Sequence, residues 1–181
     1  NIVSAVLVSF IWVFIFTNAM PALGGALGWD WLANISWFGT PSMATVTIIV
    51  VSIWQNIGFL MIIYTAGLQT IPKDVMESAE LDGCSGLKKV LKIELPLLMP
   101  TVTINLFVSI SGAFKSFDIP NAMTGGGPYG STMPVAMNIY QEAFTKYNLG
   151  YGSAKSVILF LTVAAVTLIQ LYCTRKKEVE Y

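Results

Sequence analysis

The stretch MATVTIIVVSIWQNIGFLMIIYTA, residues 43–66, decides the fold class because it contains no charged side chain. An α-helix rises about 1.5 Å per residue and needs roughly 20 residues to cross a hydrocarbon core of about 30 Å. This stretch is long enough, and two amide side chains, Gln55 and Asn56, lie in its middle. It therefore predicts a helix that crosses a membrane.

Three further runs have the same character, residues 1–17, 97–117 and 153–173. The last two each carry one lysine near an end, where a long side chain can reach the lipid headgroups. A buried core of a large soluble protein is excluded because no polar sequence remains to surround four such helices. We predict an all-α, polytopic membrane protein in a lipid bilayer, with about four spans. Since residue 1 is Asn and the first run has no polar flank, we expect further spans upstream of a single transmembrane domain, residues 1–181.

The composition excludes several classes of function. Charged residues make up 11% of the 181 residues and hydrophobic residues 55%, too few charges for a free-standing soluble surface. Ten basic residues balance ten acidic ones, so the basic surface that nucleic-acid binding requires is not expected. The chain has no histidine, which excludes Ser-His-Asp catalysis and histidine metal sites. Two distant cysteines predict neither a disulfide framework nor a zinc site.

Most of the charge lies in two segments. Residues 73–94 and 175–180 hold fourteen of the twenty charged side chains. Four crossings would place both segments on one side, and their excess of Lys and Arg makes that side cytoplasmic. Segments 18–42 and 118–152 would then face outward, with Trp29, Trp31 and Trp37 in the belt at the membrane interface.

The segment of residues 72–96, here called the charged hairpin, predicts two helices joined at a glycine. Pro72 and Asp74 suit the first turn of a helix, and Gly83 suits its end. Ser85 could cap a second helix that ends at Leu95-Pro96. In that helix an apolar stripe would be flanked by lysines that point outward: Leu87, Val90, Leu91, Lys88, Lys89 and Lys92. Such a hairpin could rest on lipid or dock on a protein, and its acidic first helix favours a protein partner.

The charged hairpin resembles the EAA loop of ABC importer permeases. The resemblance is carried by Glu77-Ser78-Ala79, Gly83, Ile93 and Leu95-Pro96 at the family's spacing, with Ser78 as the one departure. Ala66 to Pro72 is similar to the segment that leads into this loop in the family. Three other segments are similar to sugar permeases of the maltose and glycerol-phosphate type, the first permease of each pair: Thr124 to Pro128, Leu149 to Ala154 and the basic ending before Val179-Glu180-Tyr181.

This resemblance implies a type I importer transmembrane domain in a bacterial cell membrane. The hairpin would be the coupling helix that binds a cytoplasmic ATPase dimer, through Glu77, Ser78, Ala79, Asp82, Gly83, Ile93, Leu95 and Pro96. The other partners would be a second permease subunit and an extracytoplasmic solute-binding protein. ATP and Mg²⁺ would belong to the ATPase, and this chain, which lacks a GxxxxGK[ST] motif, would hold no cofactor and catalyse no reaction. The solute would be a sugar or a related carbohydrate.

Polar residues near the spans have two interpretations. Gln55, Asn56 and Asn105 could line a solute path or form hydrogen bonds between helices. Lys115 and Asp118 are three residues apart, could pair at the outer end of a helix, and are a further candidate for that path.

The glycine run has two interpretations as well. The segment Gly125, Gly126, Gly127 and Pro128 could face the binding protein or form a flexible turn. A secondary transporter or channel subunit for a small polar solute is the alternative function, and a membrane-embedded enzyme is a third. Both are disfavoured because ionisable residues are nearly absent from the spans.

Overall fold

The computed structural model describes residues 3–176, and all regular structure within that range is helical. The predicted all-α class is confirmed. The helices are α1 (Ala5–Leu27), α2 (Asp30–Ala33), α3 (Pro41–Gln69), α4 (Lys73–Leu81), α5 (Gly86–Leu97), α6 (Met99–Phe114), α7 (Asp118–Thr124), α8 (Val135–Tyr140, continued by the π-helix Gln141–Thr145) and α9 (Leu149–Arg175). The charged tail expected to begin at Arg175 lies outside the described residues from position 177 onward.

Helices α1, α3 and α9 are each long and apolar enough to cross a membrane. Helices α5 and α6 pass the same test only as a pair, with a bend of 69° between them, which would raise the number of spans within residues 3–176 to four. Large apolar side chains along these helices are exposed, for example Ile62 at 67% and Phe160 at 71%. Such surfaces are stable in contact with lipid or another subunit rather than with water.

The first span is longer than predicted. The sequence placed its end at Thr17, but α1 continues through a π-helical turn, Ile15–Ala19, and ends at Gly28 with φ of +69°. Thr17 and Asn18 did not end the helix. Thr17 donates its hydroxyl to Val13 O at 2.7 Å, within the helix itself. A hydroxyl bonded within its own helix adds little cost inside an apolar run. The expected outward loop therefore begins about ten residues later.

The third span also differs from the prediction of residues 97–117. Helix α6 starts at Met99 and ends at Phe114, and the helical chain breaks at Leu98. Pro96 and Pro100 flank this break, and neither has a backbone N–H to continue the hydrogen-bond ladder. The second hairpin helix was predicted to end at Leu95-Pro96, and α5 ends one residue later, at Leu97.

The chain forms two compact units. The first contains residues 3–58 and 114–159, and the second contains residues 59–113 and 160–176. In the first unit, a core centred on Phe16 packs α7 against the N-terminal half of α1. Trp37 packs on Phe16 with ring centroids 4.9 Å apart. Trp29 and Trp31 stack on each other and are at least half exposed.

In the second unit, α6 packs closely against the C-terminal end of α3. A Cβ atom on Gly67 would overlap the side chain of Thr101, so the two backbones approach more closely than any larger residue allows. Helix α9 joins the same packing through Gln170, whose Nε2 donates to Thr103 O at 3.3 Å. The charged hairpin connects α3 to α6 within this unit.

Candidate functional site

The first helix of the charged hairpin, α4, begins directly after Pro72, as expected from the sequence. Pro72 has the extended conformation of a residue preceding a helix, with ψ of 134°, and Asp74 lies in the first turn. A carboxylate there is stabilised by the positive end of the helix dipole. Ala79 is buried, Met76 is half-buried, and Glu77 is exposed on the other side. The helix therefore presents its acidic face to the surroundings, as predicted.

The end of α4 is a Schellman motif centred on Gly83. Gly83 has φ of +73°, its N–H donates to Glu80 O at 3.0 Å, and the N–H of Cys84 donates to Ala79 O at 2.9 Å. This conformation is easily adopted by glycine and strained for residues with a Cβ atom. Gly83 thus sets the direction in which the chain leaves the helix.

The second helix of the hairpin begins differently from the prediction. Its N-cap residue is Gly86, with φ of +59°, and it has no side-chain cap, so Ser85 does not cap it. Helix α5 then widens into a π-helical turn, Val90–Glu94, before Leu95–Leu97 completes it. Positive φ at both Gly83 and Gly86 makes the connection tighter than a single glycine turn would.

An ion pair joins the two helices of the hairpin. Lys89 Nζ lies 2.7 Å from Glu80 Oε1, and the lysine side chain is only 15% exposed. The expectation that Lys89 points outward was therefore wrong, because its ammonium group has a carboxylate partner across the turn. The hydrogen bond from Lys89 holds the pKa of Glu80 below its ordinary value.

The tip of the hairpin exposes large apolar side chains beside its charges. Leu81 is 89% exposed and Leu87 is 74% exposed, and Leu91 is 55% exposed on the second helix. Ser78, Asp82 and Gly83 are exposed as well, whereas Ile93 and Pro96 are half-buried and Leu95 is 42% exposed. An apolar patch with acidic neighbours is suited to a groove on another protein.

The amide side chains proposed for a solute path lie in different environments. Asn56 is exposed and donates to Ser52 O in its own helix at 2.8 Å, and Gln55 is half-buried. Asn105 is 3% exposed, and its Nδ2 contacts Leu60 O at 3.5 Å. That contact is the helix-to-helix alternative that the sequence left open, and it favours a packing role for Asn105.

Lys115 and Asp118 do not pair in the part of the chain that the structure describes. Helix α6 ends at Phe114, before Lys115, and Asp118 is the first residue of α7. The break between the two helices removes the i, i+3 geometry that would have brought the side chains together. Both residues are exposed.

The glycine segment forms an ordered turn. Gly125 and Gly126 have φ of +60° and +90°. The buried Thr132 donates to Gly127 O at 2.7 Å and shares a hydrogen bond of the same length with Thr124. At the tip, Tyr129 is 97% exposed. The turn therefore has defined internal bonds, unlike the flexible turn considered from the sequence.

A charged cluster near the start of α9 was not found from the sequence. Glu142 is 8% exposed, and its Oε1 lies 2.7 Å from Lys146 Nζ and 3.6 Å from Lys155 Nζ. Lys155 also donates to Asn138 Oδ1 at 2.7 Å. The i, i+4 spacing of Glu142 and Lys146 could have indicated the first pair. The contact with Lys155 is long-range and has no periodic signal.

Comparison with known proteins places these features in a family context. The family model described as "Binding-protein-dependent transport system inner membrane component" matches residues 1–179. A probable starch degradation products transport system permease protein, AmyD of Thermoanaerobacterium thermosulfurigenes, is 36% identical over 180 residues, 99% of this chain and 61% of the relative. The multiple sugar-binding transport system permease protein MsmF of Streptococcus mutans is 33% identical over 178 residues, 98% of this chain and 61% of the relative.

Two other comparisons agree with these. The sn-glycerol-3-phosphate transport system permease protein UgpA of Brucella abortus is 34% identical over 181 residues, 97% of this chain and 60% of the relative. The chain thus spans about three fifths of the length of these three relatives. The crystal structure of a bacterial ABC transporter involved in the import of the acidic polysaccharide alginate matches with a TM-score of 0.85 and 20% identity, over 97% of this chain and 62% of that chain. At this identity the match concerns the fold alone.

Proposed function

Because this chain belongs to the family of binding-protein-dependent transport system inner membrane components, we propose that it is a permease subunit of an ATP-driven importer. It is a multi-pass inner-membrane protein. The subunit itself hydrolyses nothing: ATP and Mg²⁺ bind the partner ATPase, and this chain needs no cofactor. A second permease subunit, an ATPase dimer and an extracytoplasmic solute-binding protein complete the transporter.

The proposed solute is a sugar or a related carbohydrate. This rests on the relatives, whose names refer to starch degradation products, multiple sugars and sn-glycerol-3-phosphate. The exposed Asn56 and the half-buried Gln55 in α3, together with Lys115 and Asp118, are the proposed polar groups of the path. Amide groups both donate and accept hydrogen bonds, which suits hydroxyl-rich solutes. Asn105 would support this path by fixing α6 to α3.

The charged hairpin is the proposed site of ATPase binding, and one observation carries this proposal. The Schellman turn at Gly83 projects a small apolar tip, with Leu81 and Leu87 exposed, beside the exposed carboxylate of Glu77. Burying Leu81 and Leu87 in a partner's groove would remove from water the apolar area that drives association. The exposed Glu77 would then select a basic partner surface.

The orientation follows from the charges. The hairpin and the segment around Arg175 hold most of the basic residues, so both are proposed to lie in the cytoplasm. The turn of Gly125, Gly126, Gly127 and Pro128 then faces outward, with Tyr129 at its tip as a contact for the solute-binding protein.

The coupling proposal is tested by reversing a charge in the complete transporter. Glu77→Lys is compared with Asp30→Lys, a charge reversal at an exposed position outside the hairpin. Purified complexes in liposomes are assayed for ATPase subunits retained and for ATP hydrolysis stimulated by the loaded binding protein. We expect Glu77→Lys to lose both and Asp30→Lys to keep both. Equal behaviour of the two variants would refute the docking role. Uptake by the wild type without ATP would instead indicate a secondary transporter.

A further inference from the structure

The charged cluster around Glu142 connects two helical elements at one corner of the first unit. Glu142 lies in the π-helical continuation of α8, and Lys155 lies in the second turn of α9. The Lys155 ammonium has three neighbours: Glu142 Oε1 at 3.6 Å, Asn138 Oδ1 at 2.7 Å and the ring of Tyr151, 4.4 Å from its centroid. The lysine side chain is 24% exposed and that of Glu142 is 11% exposed. Both charges are therefore largely withdrawn from solvent.

The position of Lys155 along α9 places its charge near the edge of the apolar layer, where a carboxylate can stabilise it. Helix α9 has 27 residues, about 40 Å in length, against about 30 Å for a hydrocarbon core. If the helix is centred, about 5 Å extends beyond each edge, and Lys155 lies about 9 Å from the start at Leu149. Its Cα atom then lies about 4 Å, less than one helical turn, inside the apolar layer, and the long side chain can bring the ammonium group to the edge of that layer. A carboxylate beside the ammonium group stabilises the charge there.

The backbone around the cluster is packed closely enough to hold these groups in place. A Cβ atom on Gly152 would lie 2.8 Å from Ala143 Cβ, so α9 approaches the π-helical segment at the closest distance glycine permits. The N–H of Asn148 donates to Glu142 O at 2.9 Å. Tyr147 lies in the short connection between the π-helical segment and α9, has φ of +57°, and is 86% exposed.

We infer that Glu142 and Lys155 form an electrostatic latch that holds the end of α8 against the first turns of α9. The latch fixes the corner of residues 138–155 and the orientation of the exposed Tyr147. Lys155 and Glu142 are positioning residues and do not themselves contact the solute. The inference uses the proposed function in one respect, namely that this corner faces the solute-binding protein and takes part in its docking.

Glu142 contacts two lysines, whereas each lysine contacts one carboxylate, and this difference allows the latch to be tested by substitution. Removing Glu142 leaves two ammonium groups, Lys146 and Lys155, without their shared carboxylate. Removing Lys155 leaves Glu142 still paired with Lys146 at 2.7 Å. Removing both Glu142 and Lys155 charges leaves Lys146, which is 56% exposed and can be solvated. Because the double variant loses the same pair as either single variant, a latch predicts that its impairment is no larger than that of the loss of Glu142 alone.

The experiment compares four variants in the complete transporter: Glu142→Gln, Lys155→Met, the double variant and the control Lys146→Met. Uptake is measured against the concentration of loaded binding protein, together with maximal rate, basal ATP hydrolysis and the thermal midpoint of the purified complex. We expect Glu142→Gln to raise the half-maximal concentration by about tenfold or more, with maximal rate and basal hydrolysis within about twofold of the wild type. Lys155→Met should raise it by more than about threefold because it breaks the same pair, whereas Lys146→Met should change it by less than about threefold.

The double variant decides the matter. A double variant no more impaired than Glu142→Gln alone supports the latch. A double variant whose impairment is the product of the two single effects, a Lys155→Met variant that behaves like the wild type, or a Lys146→Met variant as impaired as Glu142→Gln overturns it. If the wild type shows no uptake dependent on a binding protein, the proposed function fails. The thermal midpoints still test the latch in that case, because midpoint shifts that are not additive in the double variant require coupling between the two charges.

Discussion

Replacing Gly83 with valine tests the charged hairpin through its backbone. Gly83 has φ of +73°, and a Cβ atom added there would meet no atom within 4 Å. The added Cβ atom therefore causes no steric overlap, and the expected cost of the substitution is conformational. Placing an L-residue in the left-handed region costs about 1–2 kcal/mol, with the higher values for β-branched side chains.

This cost sets the size of the expected effect. A free energy of about 1–2 kcal/mol changes an equilibrium ratio by about 5- to 30-fold. If the ATPase binds only the hairpin with its Schellman turn intact, its apparent affinity should fall by this factor in Gly83→Val. In Gly83→Asn the apparent affinity should fall by a smaller factor, because asparagine enters the left-handed region more readily than other residues with a side chain.

The assay is titration of the purified permease complex with ATPase subunits, read out as stimulated ATP hydrolysis. The matched control is Gly28→Val, because Gly28 has φ of +69° and equally open surroundings at the end of α1. The control imposes the same backbone strain outside the hairpin and should leave ATPase affinity unchanged. If Gly83→Asn is as defective as Gly83→Val, the glycine is needed for contact with the partner and not for its conformation. If neither variant changes affinity, the hairpin is not the docking site.

Three further predictions concern contacts within the chain. Lys89→Glu should weaken the hairpin through repulsion from Glu80, and the exchanged pair Glu80→Lys with Lys89→Glu should recover ATPase stimulation. The effect should be small and should decrease in 0.5 M salt. Gly67→Ala should lower the thermal midpoint by overlap with Thr101, a cost of about 1–3 kcal/mol, and Thr101→Gly in the same chain should restore it. The hydrogen bond from Lys146 lowers the pKa of Glu142, so this residue stabilises the fold above the ordinary glutamate pKa, and that contribution is lost as pH falls through the lowered value. Thermal unfolding between pH 6 and 3 should accordingly show a smaller loss in Glu142→Gln than in the wild type.

Features determined by neighbouring residues could be predicted from the sequence. The spans follow from length and lack of charge, and the end of α4 follows from one glycine whose left-handed conformation other residues avoid. The boundaries of α1 could not be predicted, because Thr17 satisfies its hydroxyl inside the helix and so does not end it. The N-cap of α5 was misassigned since Ser85 and Gly86 are both common at that position.

Contacts between residues distant in the chain could not be predicted. Lys155 lies near the end of an apolar run, and nothing in the sequence distinguished Glu142 from the other carboxylates as its partner. The same holds for Lys89, whose position on the wheel of an ideal helix pointed outward while the fold placed Glu80 beside it. Helical periodicity reports which face a residue occupies within one helix and carries no information about which second helix meets that face.

The 69° bend between α5 and α6 makes them two arms that meet at an angle, as in a bent lever. One arm is the hairpin helix, and the other is α6, which extends for about 24 Å over 16 residues. If the hairpin helix is the coupling helix and the bend at Leu98 is rigid, a push along the first arm would turn the second about this pivot. A turn of about 10° would carry the far end of α6 through about 4 Å, less than the radius of about 5–6 Å of a helix with its side chains.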